Sequence, residues 1–212
     1  MKTFSELKKN LKRDTSGMQM TRVAILGDSS TQFLSLALRG SALDFGIELE
    51  LWESDFDQVD RQIFDAGSEL YTHRPTAVII FFATHKLLQR FNKLKNEERQ
   101  NFSDSHLNRI NELVAAIQSV ANARIICYNL SEIDDTVFGN FCNSVPSSFL
   151  YQIRKINLGL MGLTQSIGNF YVCDISSVQN RVGRNTMFQS SIYINTEMVL
   201  SIDVLPEIAA RT

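Results

Sequence analysis

The polar segment at residues 27–31, Gly-Asp-Ser-Ser-Thr, carries the residue types in this chain that are best suited to chemistry. It follows a short apolar run and precedes apolar residues at helical spacing, so the sequence predicts a strand, a turn and a helix. A serine in such a turn projects its hydroxyl near a helix N-terminus, whose free N–H groups and positive dipole favour anions. The turn therefore suits a nucleophile or an oxyanion. A nucleotide-phosphate loop fits less well, because Gly27 is the only glycine of the turn.

Nucleophilic serine catalysis also requires a base, usually histidine, and a carboxylate that orients it. The histidines are His73, His85 and His106, and none lies in the C-terminal half of the chain. His85 follows a predicted third strand, which would neighbour the first strand in a parallel sheet. We therefore keep open a triad in which Ser29 is the nucleophile, His85 is the base, and Asp28 or Asp174 orients the imidazole.

A purely structural role for the turn is the alternative. Ser29, Ser30 and Thr31 are residue types that cap helices, and Asp28 can accept hydrogen bonds from the amides of its own turn. In that case the segment would only begin the first helix of the sheet domain.

Four mainly apolar runs, at residues 23–26, 77–82, 124–128 and 170–173, and one segment of alternating apolar and polar residues, at 47–52, are separated by segments of helical periodicity. Such alternation predicts βαβ units, so we expect a three-layer α/β/α sandwich with a five-stranded parallel sheet of flavodoxin-like topology. Sites in this architecture gather where the strands end. That rule selects residues 27–31, 53–55, 83–85 and the segment from Asp174 onward.

Several helix boundaries are predicted from residue types that commonly begin or end helices. Gly40 is expected to end the first helix of the sheet domain, Ser105 to cap a later helix, and Pro146 to open a long one. The stripe Phe56, Val59, Ile63 and Leu70 predicts one helix, and residues 96–104 a loop or frayed end. After the fifth strand we expect a short helix at 175–182 and a closing helix at 204–210.

The length, composition, net charge and cysteine count limit the class of protein. With 212 residues, 44% hydrophobic and 21% charged, we expect one domain over residues 1–212, of which 1–20 form an N-terminal helix and linker packed on it. A net charge of −2 argues against nucleic acid. Three cysteines fit a reducing cytoplasm better than a disulfide framework. No apolar run approaches the roughly 20 residues of a membrane span.

Gly27-Asp28-Ser29 after the first strand resembles the first motif of the SGNH (GDSL) hydrolases. The resemblance implies that Ser29 is the nucleophile. This chain departs from the family elsewhere: Ser177 stands where an Asp-x-x-His motif would place the histidine, and residues 82–86 lack the oxyanion asparagine. Losing one oxyanion donor typically costs about 2.7–4 kcal/mol of transition-state stabilisation. The resemblance thus implies an SGNH fold and predicts a catalytically degenerate domain.

A narrower resemblance covers nearly the whole chain. Residues 4–12, 23–28 together with 30–34, 68–71, 148–152 and 205–209 resemble the N-terminal domain of FkbH-like proteins. That family joins an SGNH-like domain to a haloacid-dehalogenase (HAD) phosphatase-type domain, and its best-known members resemble glyceryl transferases that load an acyl carrier protein. The resemblance implies a HAD-type partner in cis or trans, an acyl carrier protein as a further partner, and magnesium only in the HAD domain. The pair Asp134-Asp135 lacks the HAD motif's spacing and indicates a polar loop.

Three hypotheses follow. The first is a degenerate SGNH-like domain that binds a carrier protein, a ligand or a HAD domain. The second is a serine esterase or deacylase with a rearranged base, and the third is a structural or oligomerisation module. The candidate catalytic residues are Ser29, His85 and Asp174, the candidate ligand-binding residues are Gly27, Asp28, Ser30, Thr31 and Thr84, and we expect no metal ligands and no cofactor in this domain.

Overall fold

The computed structural model describes residues 2–55 and 57–212, apart from the side chains of Ser191 and Asn195. Its centre is a parallel sheet of five strands in the order β2-β1-β3-β4-β5. The strands are β1 (Gln19–Gly27), β2 (Ile47–Glu53), β3 (Ala77–Phe81), β4 (Arg124–Tyr128) and β5 (Phe170–Cys173). The predicted sheet and its flavodoxin-like order are confirmed, and β1 begins four residues before the predicted strand.

Helices cover both faces of this sheet. They are α1 (Phe4–Asn10), α2 (Gln32–Ala42), α3 (Val59–Phe64), α4 (Glu69–Thr72), α5 (Thr84–Asn92), α6 (Asn96–Arg99), α7 (Phe102–Val120), α8 (Phe149–Ser166), α9 (Ile175–Val182), α10 (Arg184–Met187), α11 (Ser190–Thr196) and α12 (Leu205–Arg211). Short 3₁₀ turns occupy Leu43–Phe45 and Gly139–Ser144.

The central strands are apolar throughout because successive side chains enter different cores. Ala24 and Leu26 pack with α3, α5, α7 and α8 on one face, whereas Val23 and Ile25 pack with α1, α2, α9 and α12 on the other. The expected three-layer sandwich is therefore confirmed. The N-terminal helix packs on it as predicted, because Phe4 and Leu7 are buried.

Gly40 does not end a helix, which corrects the sequence expectation. Helix α2 continues through Gly40 to Ala42, and the chain turns later at Gly46, whose φ is 73°. Gly40 is where α1 crosses α2: a Cβ there would lie 2.4 Å from the carbonyl oxygen of Leu7. The glycine allows close approach of two helices rather than a stop.

Other predicted boundaries were also wrong. Helix α7 begins before Ser105, which lies inside it, and α8 begins after Pro146, with Ser148 accepting the N-cap hydrogen bond from the Tyr151 backbone N–H. The stripe from residue 56 to 70 forms two helices, α3 and α4, and Phe56 lies outside the described residues. Residues 96–99 form helix α6 rather than a loop, whereas α9 matches its predicted span.

The described residues include no helix that is both long and apolar enough to cross a membrane. The three cysteines, Cys127, Cys142 and Cys173, are buried and form no disulfide.

Candidate functional site

The serine turn connects β1 to α2 at the carboxyl edge of the sheet. The backbone N–H of Asp28 donates to the carbonyl of Phe81 at 3.3 Å, and that of Asp57 donates to the carbonyl of Gly27 at 3.1 Å. A Cβ on Gly27 would lie 2.8 Å from the Thr31 methyl and 3.1 Å from the Ser29 carbonyl oxygen. The turn therefore requires glycine at its first position, and it is held by β3 on one side and by the segment after β2 on the other.

Asp28 is buried and links two strands. Its Oδ1 accepts a hydrogen bond from the Ala83 backbone N–H at 2.8 Å, whereas its Oδ2 has no hydrogen-bond partner among the described residues. The Arg90 guanidinium lies 3.9 Å from Oδ2. Burial raises the pKa of Asp28 to about 6, and the Ala83 hydrogen bond and the Arg90 charge oppose that rise. The expectation that Asp28 bonds its own turn is wrong, because its partner lies at the end of β3.

Ser29 is 1% exposed, and its hydroxyl is buried. Within the described residues, no group forms a hydrogen bond with its Oγ. Ser29 is therefore bonded to neither His85 nor Asp174 in this structure. The hydroxyl of Ser54, which follows β2, is likewise buried and unpaired.

Thr31 does not cap α2, which corrects the capping alternative. Its Oγ1 donates to Oε1 of Glu53 at 2.5 Å, and the Ser35 hydroxyl donates to Oε2 of the same carboxylate at 2.8 Å. These bonds fix the end of β2 against the first turn of α2. A cleft of about 360 Å³ lies between the end of β2 and the start of α2, and it is lined by residues 29–32 and 53–55. We call it the serine cleft.

His85 is turned toward the C-terminal segment of the chain. Its imidazole stacks on Phe188 at a centroid distance of 4.0 Å and lies 5.5 Å from the Tyr193 ring. Burial lowers the pKa of His85 to about 4, so the ring is neutral at pH 7. Its neighbour Thr84 is buried and lies within hydrogen-bond distance of the Ser131 hydroxyl, at 3.3 Å.

Asp174 caps helix α9. Its Oδ1 accepts hydrogen bonds from the Asn129 amide at 2.7 Å, the Ser176 hydroxyl at 2.8 Å and the Ser177 backbone N–H at 3.1 Å. Burial by itself would raise the pKa of Asp174, but these bonds outweigh it, so the pKa lies below its ordinary value. The Ser177 hydroxyl, at the position of the SGNH histidine, accepts from Arg211 at 2.7 Å and donates to the Asp174 carbonyl at 3.0 Å.

The structure thus gathers the predicted residues at one edge of the sheet without connecting them as a triad, and their catalytic and binding roles stay predictions. Sequence reasoning missed Asn129 and Arg90, whereas Ser54 lies within the range 53–55 that the strand-end rule selected. Asn129 directly follows β4, so the same rule applied to that strand would have found it. Arg90 lies inside α5, where no local pattern distinguishes it. Within the described parts of the chain, no three His, Cys, Asp or Glu side chains are grouped to hold a metal.

Sequence comparison identifies the family. The model of the FkbH N-terminal domain matches residues 22–212. The chain belongs to the family of FkbH N-terminal domains. This confirms the resemblance drawn from the sequence motifs. No curated protein sequence matches the chain.

One solved structure is similar to this FkbH N-terminal domain over the whole length of the chain. The chain is similar to the N-terminal part of the protein BF1531 from Bacteroides fragilis, which contains a phosphatase domain and was complexed with Mg, with 40% identity and a TM-score of 0.94. The similarity covers 100% of this chain and 55% of that one, so the chain spans about half of that relative's length.

More distant structures share the fold alone. A lipase/acylhydrolase from Enterococcus faecalis has 14% identity and a TM-score of 0.57, over 91% of this chain and 94% of its own. A catalytic mutant of the acetylxylan esterase Axe2 from Geobacillus stearothermophilus has 12% identity and a TM-score of 0.54, over 92% of each chain. The FkbH N-terminal domain therefore has the expected SGNH-hydrolase fold.

Proposed function

We propose that this FkbH N-terminal domain is a non-hydrolytic SGNH-like binding module that serves a phosphatase-type catalytic domain, in cis or in trans. The observation that carries the proposal is the isolation of Ser29. Its hydroxyl is buried, and among the described residues no group bonds it. A serine without a base to remove its proton is a weak nucleophile.

The surroundings of the other triad candidates support the same proposal. His85 is engaged in an aromatic stack with Phe188, and Asp174 is occupied as the cap of α9. Ser177 fills the position of the SGNH histidine with two hydrogen bonds of its own. Hydrolysis would require each of these groups to leave an arrangement that the fold stabilises.

The partner is inferred from the relative of known structure. In Bacteroides fragilis, the 40% identical protein contains a phosphatase domain and was complexed with Mg. We assign phosphoryl chemistry and its magnesium to such a partner and none of it to this chain. An acyl carrier protein stays the second expected partner, and the three buried thiols fit a cytoplasmic location.

The test is covalent labelling of the purified 212-residue protein with a fluorophosphonate probe, alongside Ser29→Ala. The lipase/acylhydrolase from Enterococcus faecalis serves as the positive control. Circular dichroism and a cooperative melt establish that both chains are folded. We expect the lipase to be labelled, and the wild type to show no more label than Ser29→Ala.

Labelling that disappears in Ser29→Ala would overturn the proposal and favour the esterase or deacylase hypothesis. That hypothesis predicts His85 as the base, so His85→Gln would then abolish the label. Persistence of label in Ser29→Ala would identify another residue and would leave the isolation of Ser29 intact.

A further inference from the structure

We infer that the serine cleft binds an uncharged small molecule with several hydroxyl groups, of the polyol or sugar class. The inference rests on the proposed function, since it gives the serine turn a binding role in place of hydrolysis. Four kinds of observation point to this ligand chemistry: two unpaired hydroxyls, an acidic wall, an uncapped helix end, and the lack of a cationic side chain in the lining.

Two residues of the cleft lining, Ser29 and Ser54, are 1% and 7% exposed, and neither buried hydroxyl has a hydrogen-bond partner among the described residues. They come from different loops, after β1 and β2, that the parallel pairing of these strands brings together. A buried polar group without a partner is unfavourable, so a bound group that pairs with it gains affinity. A serine hydroxyl donates one hydrogen bond and accepts others, and a ligand hydroxyl complements both functions.

The acidic wall consists of Glu53 and Asp55. Glu53 is fixed by hydrogen bonds from Thr31 and Ser35, one to each carboxylate oxygen, and each oxygen has a further lone pair to offer. Asp55 is exposed beside it. Ionised carboxylates only accept hydrogen bonds, so they require ligand groups that donate.

The opposite wall is the first turn of α2, an eleven-residue helix whose N-cap residue Thr31 makes no side-chain capping bond. The first N–H groups of a helix lack intrahelical partners and favour oxygen acceptors. A ligand in the cleft thus meets donors on one wall and acceptors on the other. Adjacent hydroxyls on a short carbon chain satisfy both walls at once.

The charge of the cleft lining argues against phosphate esters of polyols or sugars as ligands. The lining residues are Ser, Thr, Gln, Glu and Asp, so they provide two carboxylates and no Lys, Arg or His. Arg90 is not part of the lining and lies against Asp28 and Asp57, at 3.9 and 3.8 Å. A phosphate in the cleft would meet two carboxylates that no cationic side chain of the lining compensates. An alkyl chain, for its part, would leave both serine hydroxyls unpaired.

The experiment is an NMR titration of the ¹⁵N-labelled full chain with D-sorbitol and, in parallel, D-sorbitol 6-phosphate. We expect sorbitol to shift amide resonances of residues 29–32 and 53–55 in a saturable way, and the phosphate ester to bind at least about fivefold more weakly. Ser54→Ala should weaken sorbitol binding about fivefold, because it removes one unpaired hydroxyl. Ser119→Ala, an exposed serine on α7, is the matched control and should bind like the wild type.

Asp55→Asn separates charge from shape, since it keeps the size of the side chain. It should reduce the preference for sorbitol over the phosphate ester about threefold. Unshifted cleft amides at about 100 mM sorbitol, or tighter binding of the phosphate ester, would overturn the inference. Fluorophosphonate labelling of Ser29 would instead overturn the proposed function, so the two failures are distinguishable.

Discussion

The carboxylate of Asp28 accepts a hydrogen bond from the backbone N–H of Ala83 at 2.8 Å, which joins the end of β1 to the end of β3. The bond gives the aspartate after Gly27 a partner in a turn whose serine hydroxyl has no hydrogen-bond partner among the described residues. It satisfies a backbone donor at the start of α5 that would otherwise be buried and unpaired. Asp28 therefore has a structural role that does not depend on catalysis.

Asp28→Asn should change how stability depends on pH. The pKa of Asp28 in the folded protein is about 6, above the ordinary value of 3.8. Its contribution to the free energy of unfolding is thus fully present below pH 3.8 and is lost as the pH rises through 6. Asparagine keeps the acceptor for Ala83 but cannot ionise.

Relative to the variant, the wild type should lose up to about 3 kcal/mol across this window. Urea unfolding of both proteins at a series of pH values measures the difference. Asp203→Asn, which changes an exposed carboxyl group, is the control. Parallel stability curves for wild type and Asp28→Asn would show that burial does not raise the pKa of this carboxyl group.

Gly40→Ala should destabilise the protein by about 2 kcal/mol, because the new Cβ would lie 2.4 Å from the backbone oxygen of Leu7 and push α1 away from α2. Gly162 in α8 provides the matched control, since a Cβ there meets no atom within 4 Å. Gly162→Ala should stabilise the chain by up to about 1 kcal/mol through helix propensity. Chemical unfolding tests the pair, and equal effects of the same sign would refute the close-approach explanation.

Gln152→Ala should cost about 3 kcal/mol of stability. The buried Gln152 amide accepts from the Ser103 backbone N–H at 2.7 Å and donates to the carbonyls of Gln100 at 3.1 Å and Pro146 at 2.6 Å. Alanine leaves these backbone groups without their partner at the junction of α7 and α8. The exposed Gln165, also on α8, is the control, and Gln165→Ala should leave the free energy of unfolding unchanged in the same thermal or urea melts. An equally small loss of stability for Gln152→Ala would contradict the role of its three hydrogen bonds.

The imidazole of His85 should titrate near pH 4, because burial against Phe188 disfavours its charged form. Phe188→Ala exposes the ring and should move the midpoint toward the ordinary value of 6.5. An NMR titration of the imidazole protons measures both midpoints, with His85→Gln to assign the resonance. Phe64→Ala, at an exposed aromatic residue, should leave the midpoint unchanged. A wild-type midpoint near 6.5 would rule out the stack.

Local patterns were sufficient for the sheet and the family. The central strand β3 and the second half of β1 are continuous apolar runs because their two sets of side chains enter two cores, whereas the edge strand β2 alternates apolar and acidic residues, and both patterns are visible without coordinates. The family followed from short motifs such as residues 148–152, where Ser148 caps α8 and Gln152 links it to α7. Ser148 acts at the end of its own helix, so its spacing carries that information, whereas two partners of Gln152 lie on another part of the chain.

Only the tertiary structure decided what the site residues contact. Gly40 looked like a helix stop because its sequence neighbours do not reveal that α1 crosses α2 there. Asp28 was assigned to its own turn, but its partner Ala83 is 55 residues away. His85 stacks on Phe188, about 100 residues further along. Which distant groups meet depends on how the layers pack, and residue spacing along the chain does not encode those contacts. The sequence by itself determined the fold and the residues at the sheet edge, and packing decided that, among the described residues, no group forms a hydrogen bond with the Ser29 hydroxyl.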